Sequence, residues 1–104
     1  MLNINTIETI KQRLKEMKEI ESIILFGSQA RGTADNKSDI DLAVIVKAVT
    51  DRYEMSRNFR SKLSGMEYAF DIIVITKSEY DLDKHIPGTV SRSVEKEGKI
   101  LYAS

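Results

Sequence analysis

Residues 23–46 read IILFGSQARGTADNKSDIDLAVIV, and their pattern is the most informative in the chain about its fold. Two apolar runs of strand length flank a polar segment that opens with Gly27. Continuous apolar runs bounded by turn residues are typical of strands that are buried on both faces. We therefore predict strands over residues 22–26 and 39–46, joined by residues 29–38, which begin like a helical turn and end as a polar loop.

The regions outside this centre predict helices and one more strand. An apolar stripe at three- and four-residue steps indicates an amphipathic helix near the N-terminus. The order α-β-(turn)-β-α-β-α predicts a small α/β (α+β) domain over residues 1–104, in which a short mixed sheet carries helices mainly on one face. The remaining predicted elements are the helix with the stripe Ile7, Ile10, Leu14 and Met17, a helix over about 51–65, a strand over 69–76, a short helical turn from Ser78 and a last helix with Pro87 in its first turn.

The ends and the buried positions of the helices can be predicted as well. Asn5 followed by Glu8 is the capping pair that we expect at the start of the first helix. Glycine commonly follows the last residue of a helix, so we expect Gly65 and Gly98 to end the middle and last helices. The core candidates of the middle helix are Tyr53, Phe59 and Leu63.

Composition excludes several classes of protein. The chain has 104 residues, with 16 basic and 16 acidic side chains and a formal net charge of zero. This balance argues against a basic nucleic-acid clamp, an acidic tail and a polybasic membrane patch. The absence of cysteine excludes disulfides, thiolate zinc sites and cysteine nucleophiles. No apolar run reaches the roughly 18–20 residues that cross a bilayer, and no signal-peptide pattern opens the chain, so we expect a cytoplasmic protein without membrane contact.

Paired acids stand at the start of the second predicted strand. Asp39 and Asp41 are two residues apart, so their carboxylates project from the same face of the strand. Two such charges about 5–6 Å apart repel by roughly 3 kcal/mol at an effective dielectric constant near 20. Oxygen ligands without His or Cys suit Mg²⁺ or Mn²⁺, and Asp71 could join the pair to make a two-metal site. The alternative is that both aspartates lie at an exposed strand start and bind nothing.

A second candidate feature is the Gly27-Ser28 turn. A glycine lets the backbone approach a ligand closely, and free N–H groups at a helix start bind phosphate oxygens. Ser28 would add a hydroxyl donor and Arg31 a guanidinium. The alternative is an ordinary turn. A P-loop is excluded because Thr33 stands where its lysine must be, and an EF-hand loop starting at Asp35 would have Val46 in place of its glutamate.

Taken together, these motifs resemble a known family. Phe26-Gly27-Ser28 followed by DIDL at 39–42 resembles the signature of the DNA polymerase β-like nucleotidyltransferases, and GSQARGTADNKSDIDL is similar to the minimal, MNT-type members that are often encoded beside a HEPN-domain partner. The later strand FDIIVI carries Asp71 where that family places its third acid, and EGKILY is similar to the usual end of such short chains.

The resemblance implies a role for each matching residue. Asp39 and Asp41 would hold two Mg²⁺ ions, and Asp71 would complete the second metal site and help to take a proton from the acceptor. The backbone around Gly27, with Ser28, would hold the β- and γ-phosphates. Arg31 would bind phosphate or pin the loop. The metal and catalytic set is Asp39, Asp41 and Asp71, and the nucleotide-binding set is Gly27, Ser28 and Arg31.

The same resemblance implies a magnesium-dependent nucleotidyltransferase. It would transfer a nucleoside monophosphate to a hydroxyl acceptor. ATP is the expected substrate among the nucleoside triphosphates, so the transferred group would be AMP. Larger relatives carry further acceptor-binding domains, so the acceptor of so short a chain would be a second polypeptide or would be held by another subunit, and the family points to a tyrosine of a HEPN-type toxin. The alternative is a non-catalytic nucleotide-binding or antitoxin module that neutralises its partner by complex formation. Association with a second copy would also add burial to so small a domain.

Other features carry less chemistry. His85, the only histidine, is expected at the surface. A basic segment on the middle helix is expected to be a solvated face, with docking of an acidic partner or of nucleotide as the alternative. Tyrosines are scattered and form no stacking platform, so direct nucleic-acid binding is not expected. The basic segment comprises Arg52, Arg57, Arg60 and Lys62.

Overall fold

The computed structural model describes residues 3–32 and 39–104, and within them it has five helices and four strands. The α+β class predicted from the sequence is confirmed. The predicted loop over residues 33–38 lies outside the described residues. In chain order the elements are α1 (Ile4–Leu14), β1 (Ile20–Phe26), α2 (Gly27–Arg31), β2 (Ile40–Val46), α3 (Arg52–Lys62), β3 (Phe70–Thr76), α4 (Lys77–Asp83), α5 (Val90–Glu97) and β4 (Lys99–Ala103).

The four strands form one mixed sheet in the order β3-β2-β1-β4. β1 runs antiparallel to both of its neighbours, β2 and β4, whereas β2 and β3 are parallel. The sequence prediction lacked β4, whose five residues are exposed or only half-buried. A strand at the edge of a sheet has one unpaired side and needs no continuous apolar run, so its sequence resembles a polar tail.

Helices cover both faces of the sheet. α1 and α3 pack on the face with the larger core, where Ile10, Leu14 and Phe59 are fully buried beside the strands. α4 and α5 cover the other face over a smaller cluster that includes Tyr80 and Val94. The sequence predicts helices mainly on one face of the sheet, whereas the structure has helices on both. The larger core lies under α1 and α3.

Two details of the helices differ from the prediction. The N-cap of α1 is Asn3, whose side chain accepts a hydrogen bond from the Thr6 N–H at 2.9 Å, so the predicted cap Asn5 lies inside the helix. Phe59 and Leu63 are buried as predicted, but Tyr53 is 70% exposed and carries the guanidinium of Arg57 over its ring. Tyr53 lies on the side of α3 that faces away from the sheet, so its predicted burial is wrong.

The starts of the last two helices are fixed by threonine caps. Thr76 and Glu79 form a reciprocal capping box at the start of α4, one residue before the predicted turn. Thr89 caps α5 by accepting from the Arg92 N–H, so Pro87 precedes the helix and does not occupy its first turn as predicted. Gly98 follows α5 as predicted. No helix in residues 3–32 and 39–104 is long and apolar enough to cross a membrane.

Candidate active site

Strand pairing brings the end of β1 next to the starts of β2 and β3, at one end of the strands. Asp41 in β2 is paired with Phe26, the last residue of β1, and with Asp71 near the start of β3. Asp39 immediately precedes β2. The parallel register of β2 and β3 therefore places Asp41 and Asp71 side by side, as the sequence predicted for neighbouring strands.

The acids lie on the face that α4 and α5 cover. Alternation along β2 puts Asp41 on the same face as Ala43 and Ile45, which belong to the smaller core cluster. Asp41 is half-buried, whereas Asp39 and Asp71 are exposed. The site is thus an open surface at the strand ends, with its central carboxylate partly covered.

Burial and repulsion raise the pKa of Asp41 above its ordinary value of 3.8. Partial burial is the largest cause, followed by the negative charges of Asp71 and then Asp39, while the positive charge of Arg31 acts in the opposite direction. The electrostatics therefore identify Asp39, Asp41 and Asp71 as one group of like charges with Arg31 in range of it.

Gly27 lies directly against this group. It opens α2 straight after β1, and its backbone has φ +73°. A Cβ at this position would overlap Oδ2 of Asp41 and come within 3.1 Å of its Cγ. Only glycine satisfies both the conformation and the close approach, so the Gly27-Ser28 turn and the Asp41 carboxylate are parts of one site.

Arg31, the last residue of α2, makes a contact that the sequence did not predict. Its Nη1 donates to Oε2 of Glu97 at 3.1 Å, which connects α2 to the end of α5. Gln29 of the same short helix is buried, at 3% exposed. Glu97 and Arg31 are too far apart in sequence for any local pattern to have revealed the pair.

The donor chemistry of the acids fits a divalent cation. In the described residues no three His, Cys, Asp or Glu side chains form a group that could hold a metal ion by themselves. Mg²⁺ usually takes only one or two carboxylates and completes its shell with water and substrate phosphates. Asp41 and Asp71 on paired strands supply such oxygens, and their mutual repulsion is a cost that a cation would offset.

The basic segment of α3 is not part of this site. Arg52 donates from Nη1 to the Val74 carbonyl at 2.8 Å and from Nη2 to Glu79 at 3.0 Å. Ser56 donates to the Ile72 carbonyl at 3.0 Å, so α3 side chains cover the outer edge of β3. Arg52 therefore has a structural role. His85 is exposed in the connection between α4 and α5, as expected.

The comparisons with known proteins agree with this geometry. The family model described as polymerase beta, nucleotidyltransferase matches residues 8–104. A Methanocaldococcus jannaschii protein named as a protein adenylyltransferase is 36% identical over 103 residues, which covers 94% of this chain and 99% of that protein.

Two solved structures of similar fold are toxin–antitoxin complexes. One, described as a toxin–antitoxin with AMP-PNP, has a TM-score of 0.60 and 25% identity and covers 99% of this chain and 75% of the matched chain. The other is a Shewanella oneidensis complex of a tri-AMPylated HEPN toxin with an MNT antitoxin. Its TM-score is 0.59 at 22% identity, over 96% of this chain and 71% of the matched one, so it supports the fold alone.

Proposed function

The chain belongs to the polymerase beta nucleotidyltransferase family, and we propose that it transfers AMP from ATP to a protein hydroxyl group, with residues 1–104 acting as one nucleotidyltransferase domain. The observation that carries the proposal is the pairing of Asp41 with Asp71 across parallel strands, with Gly27 packed against the Asp41 carboxylate. This arrangement combines a cluster of acids with a turn at which a phosphate chain can approach the backbone.

Asp41 and Asp71, with Asp39 just before β2, are the residues that would hold Mg²⁺ together with water and the substrate phosphates. The chemistry that Mg²⁺ supplies when bound is neutralisation of the phosphate charge and a lower pKa of the acceptor hydroxyl. The raised pKa of Asp41 supports this role, because a carboxylate surrounded by like charges gains most from a cation.

The other residues of the site position the nucleotide. The backbone around Gly27 and the Ser28 hydroxyl would donate to the β- and γ-phosphates, and Arg31 would add a guanidinium beside them. The acceptor oxygen would form a bond to the α-phosphorus while the bond from that phosphorus to the bridging oxygen breaks. Pyrophosphate leaves with the bonding electrons, and the acceptor proton passes to Asp71, whose side chain is exposed.

The acceptor that we propose is a tyrosine of a HEPN-type toxin. The name of the Methanocaldococcus jannaschii relative supports a protein acceptor, and the toxin–antitoxin with AMP-PNP supports both a toxin partner and an adenine nucleotide. A tyrosine hydroxyl is a suitable acceptor because a phenol loses its proton more readily than an aliphatic alcohol. In this function the chain is the antitoxin.

Labelled ATP tests the proposal directly. The protein is incubated with Mg²⁺, ATP labelled at the α-phosphate and the product of the neighbouring gene, which we expect to be a HEPN-type protein. We expect label on a tyrosine of that protein, no label from ATP labelled at the γ-phosphate, and loss of the signal in Asp41→Asn and Asp71→Asn. Asp83→Asn, an acid on α4, is the matched control and keeps the signal.

Two other outcomes are informative. A tight complex that forms without label, and equally well with Asp41→Asn, would replace the enzyme by an antitoxin that acts through binding. Label that persists in both Asp41→Asn and Asp71→Asn would show that the transfer does not use this site.

A further inference from the structure

The ion pair between Arg31 and Glu97 joins two elements that flank the acids. Arg31 ends α2, and Glu97 ends α5. Their N–O distance is 3.1 Å, and their side chains are 49% and 39% exposed. The pair therefore bridges the ends of α2 and α5 and is open to solvent.

The backbone that carries Glu97 is held closely in place. A Cβ on Gly98 would overlap the Val94 carbonyl oxygen and Cγ2 of Ile24, so the junction of α5 with β4 requires glycine. Ile24 belongs to β1 and is paired with Ile100, which ties this junction to the central sheet. Glu97 is thus held at a set position relative to β1, whose end leads into the site.

Arg31 is connected to the acids through its own helix. It ends the short helix α2 that begins at Gly27, whose backbone packs against the Asp41 carboxylate, and its guanidinium bonds Glu97. A guanidinium has five N–H donors in a rigid fork, and the bond to Glu97 engages one of its terminal nitrogens. The fork thus has further donors with which it could bind an anion at the site.

The ion pair contributes little to folding. Exposed pairs of this kind stabilise proteins only weakly because water screens them and both side chains lose freedom. The effect on a ligand is different, because an arginine that is already oriented loses less conformational entropy when it binds phosphate. The ion pair should therefore affect nucleotide affinity more than the free energy of unfolding.

We propose that Glu97 is a positioning residue, which orients Arg31 so that its other donors face the triphosphate of the bound nucleotide; this rests on the function proposed above. Glu97 itself does not touch the nucleotide. Its contribution passes entirely through Arg31, and the two residues therefore act as one unit.

A double-mutant cycle on binding of Mg²⁺·ATP, measured by calorimetry without any acceptor, tests this. We expect Glu97→Gln to raise the Kd about threefold, the scale of one exposed ion pair, and Arg31→Met to raise it about tenfold or more. In the Arg31→Met background, Glu97→Gln should have no further effect, because the residue through which it acts is gone. Glu97→Asp, which keeps the charge, should recover part of the affinity.

The controls separate this inference from the proposed function. Glu16→Gln, an exposed glutamate after α1 on the other side of the sheet, should leave the Kd unchanged. The melting temperature of each single variant should stay close to that of the wild type, so a loss of affinity would not reflect unfolding. Equal effects of Glu97→Gln with and without Arg31, or tighter binding in Glu97→Gln, would overturn the inference. Wild-type protein that does not bind Mg²⁺·ATP at all would contradict the proposed function.

Discussion

Gly27 and Asp41 are packed so closely that no side chain at position 27 can coexist with the Asp41 carboxylate where it now lies. The glycine also has a positive φ, which residues with a side chain rarely adopt. These two constraints have different consequences. A positive φ affects stability, whereas the close approach affects the position of a carboxylate at the centre of the site.

Gly27→Ala is therefore expected to destabilise the protein by about 1–2 kcal/mol and to abolish binding of Mg²⁺·ATP. The matched control is Gly65→Ala, because Gly65 also has a positive φ, +86°, but an added Cβ there meets nothing within 4 Å. We expect it to lose about 1 kcal/mol and to keep nucleotide affinity. Chemical denaturation and calorimetry measure the two effects. Equal loss of affinity in both variants would show that displacement of Asp41 is not the cause.

The central part of the site could be predicted from the sequence because it depends on local patterns. Alternation along a strand fixes which face carries Asp41. Asp71 could join it only if the two strands are neighbours, and the register of β2 and β3 meets that condition. Gly27 follows a buried strand and precedes polar residues, so the turn could be predicted as well. The face of Asp41 and the turn thus needed only local patterns, whereas the place of Asp71 also needed the pairing of two strands.

The contacts that the sequence did not reveal are those that depend on tertiary structure. β4 is short and at the edge, so neither burial nor alternation marks it in the sequence. Glu97 reaches Arg31 only because β4 pairs with β1 and thereby brings the end of α5 to α2. Tyr53, Phe59 and Leu63 are all core candidates in the sequence, but the packing of α3 buries only Phe59 and Leu63.

Asp41→Asn should stabilise the metal-free protein at neutral pH. Because the folded-state pKa of Asp41 is raised, the folded protein holds this proton more tightly, so stability falls as the pH rises from 3.8 through the folded pKa. Asparagine removes that loss, and we expect a gain of about 0.5–1 kcal/mol at pH 7 in EDTA. The gain should vanish at pH 3, where Asp41 is protonated in both states.

Urea denaturation at the two pH values, with Asp83→Asn as the control, measures the difference. A variant that is less stable than wild type at pH 7 in EDTA would show that repulsion does not dominate at Asp41. Addition of Mg²⁺ with ATP should stabilise the wild type and not Asp41→Asn.

The basic segment of α3 is expected to separate into two parts. Arg52→Ala should cost about 1–2 kcal/mol, because the Val74 carbonyl and Glu79 both lose their donor. The double variant Arg57→Glu/Arg60→Glu should change stability by less than about 1 kcal/mol, since the contact of Arg57 with the Tyr53 ring is exposed. It should also leave the affinity for Mg²⁺·ATP and for the partner protein unchanged, as a solvated face would. Weaker binding of either ligand would establish α3 as a docking surface.

Glu79 should make the stability of α4 depend on acid pH. The hydrogen bond from Arg52 is the main reason that the pKa of Glu79 is lowered from 4.5 to about 2, and the Thr76 N–H adds to it. A lowered folded-state pKa stabilises the protein above pH 4.5, and this contribution is lost as the pH falls from 4.5 through about 2. Glu79 is 43% exposed, so solvent reduces the effect.

Glu79→Gln isolates this charge, because glutamine can still accept from the Thr76 N–H in the capping box. We expect the variant to be about 0.5 kcal/mol less stable than wild type at pH 7, with a difference that shrinks towards pH 2, where the wild-type carboxyl is about half protonated. Glu67→Gln, an exposed glutamate outside the helices, should show no such convergence. Unfolding free energies at pH 7, 4 and 2 give the comparison, and a difference that stays constant over this range would mean that the ion pair with Arg52 does not determine what Glu79 contributes.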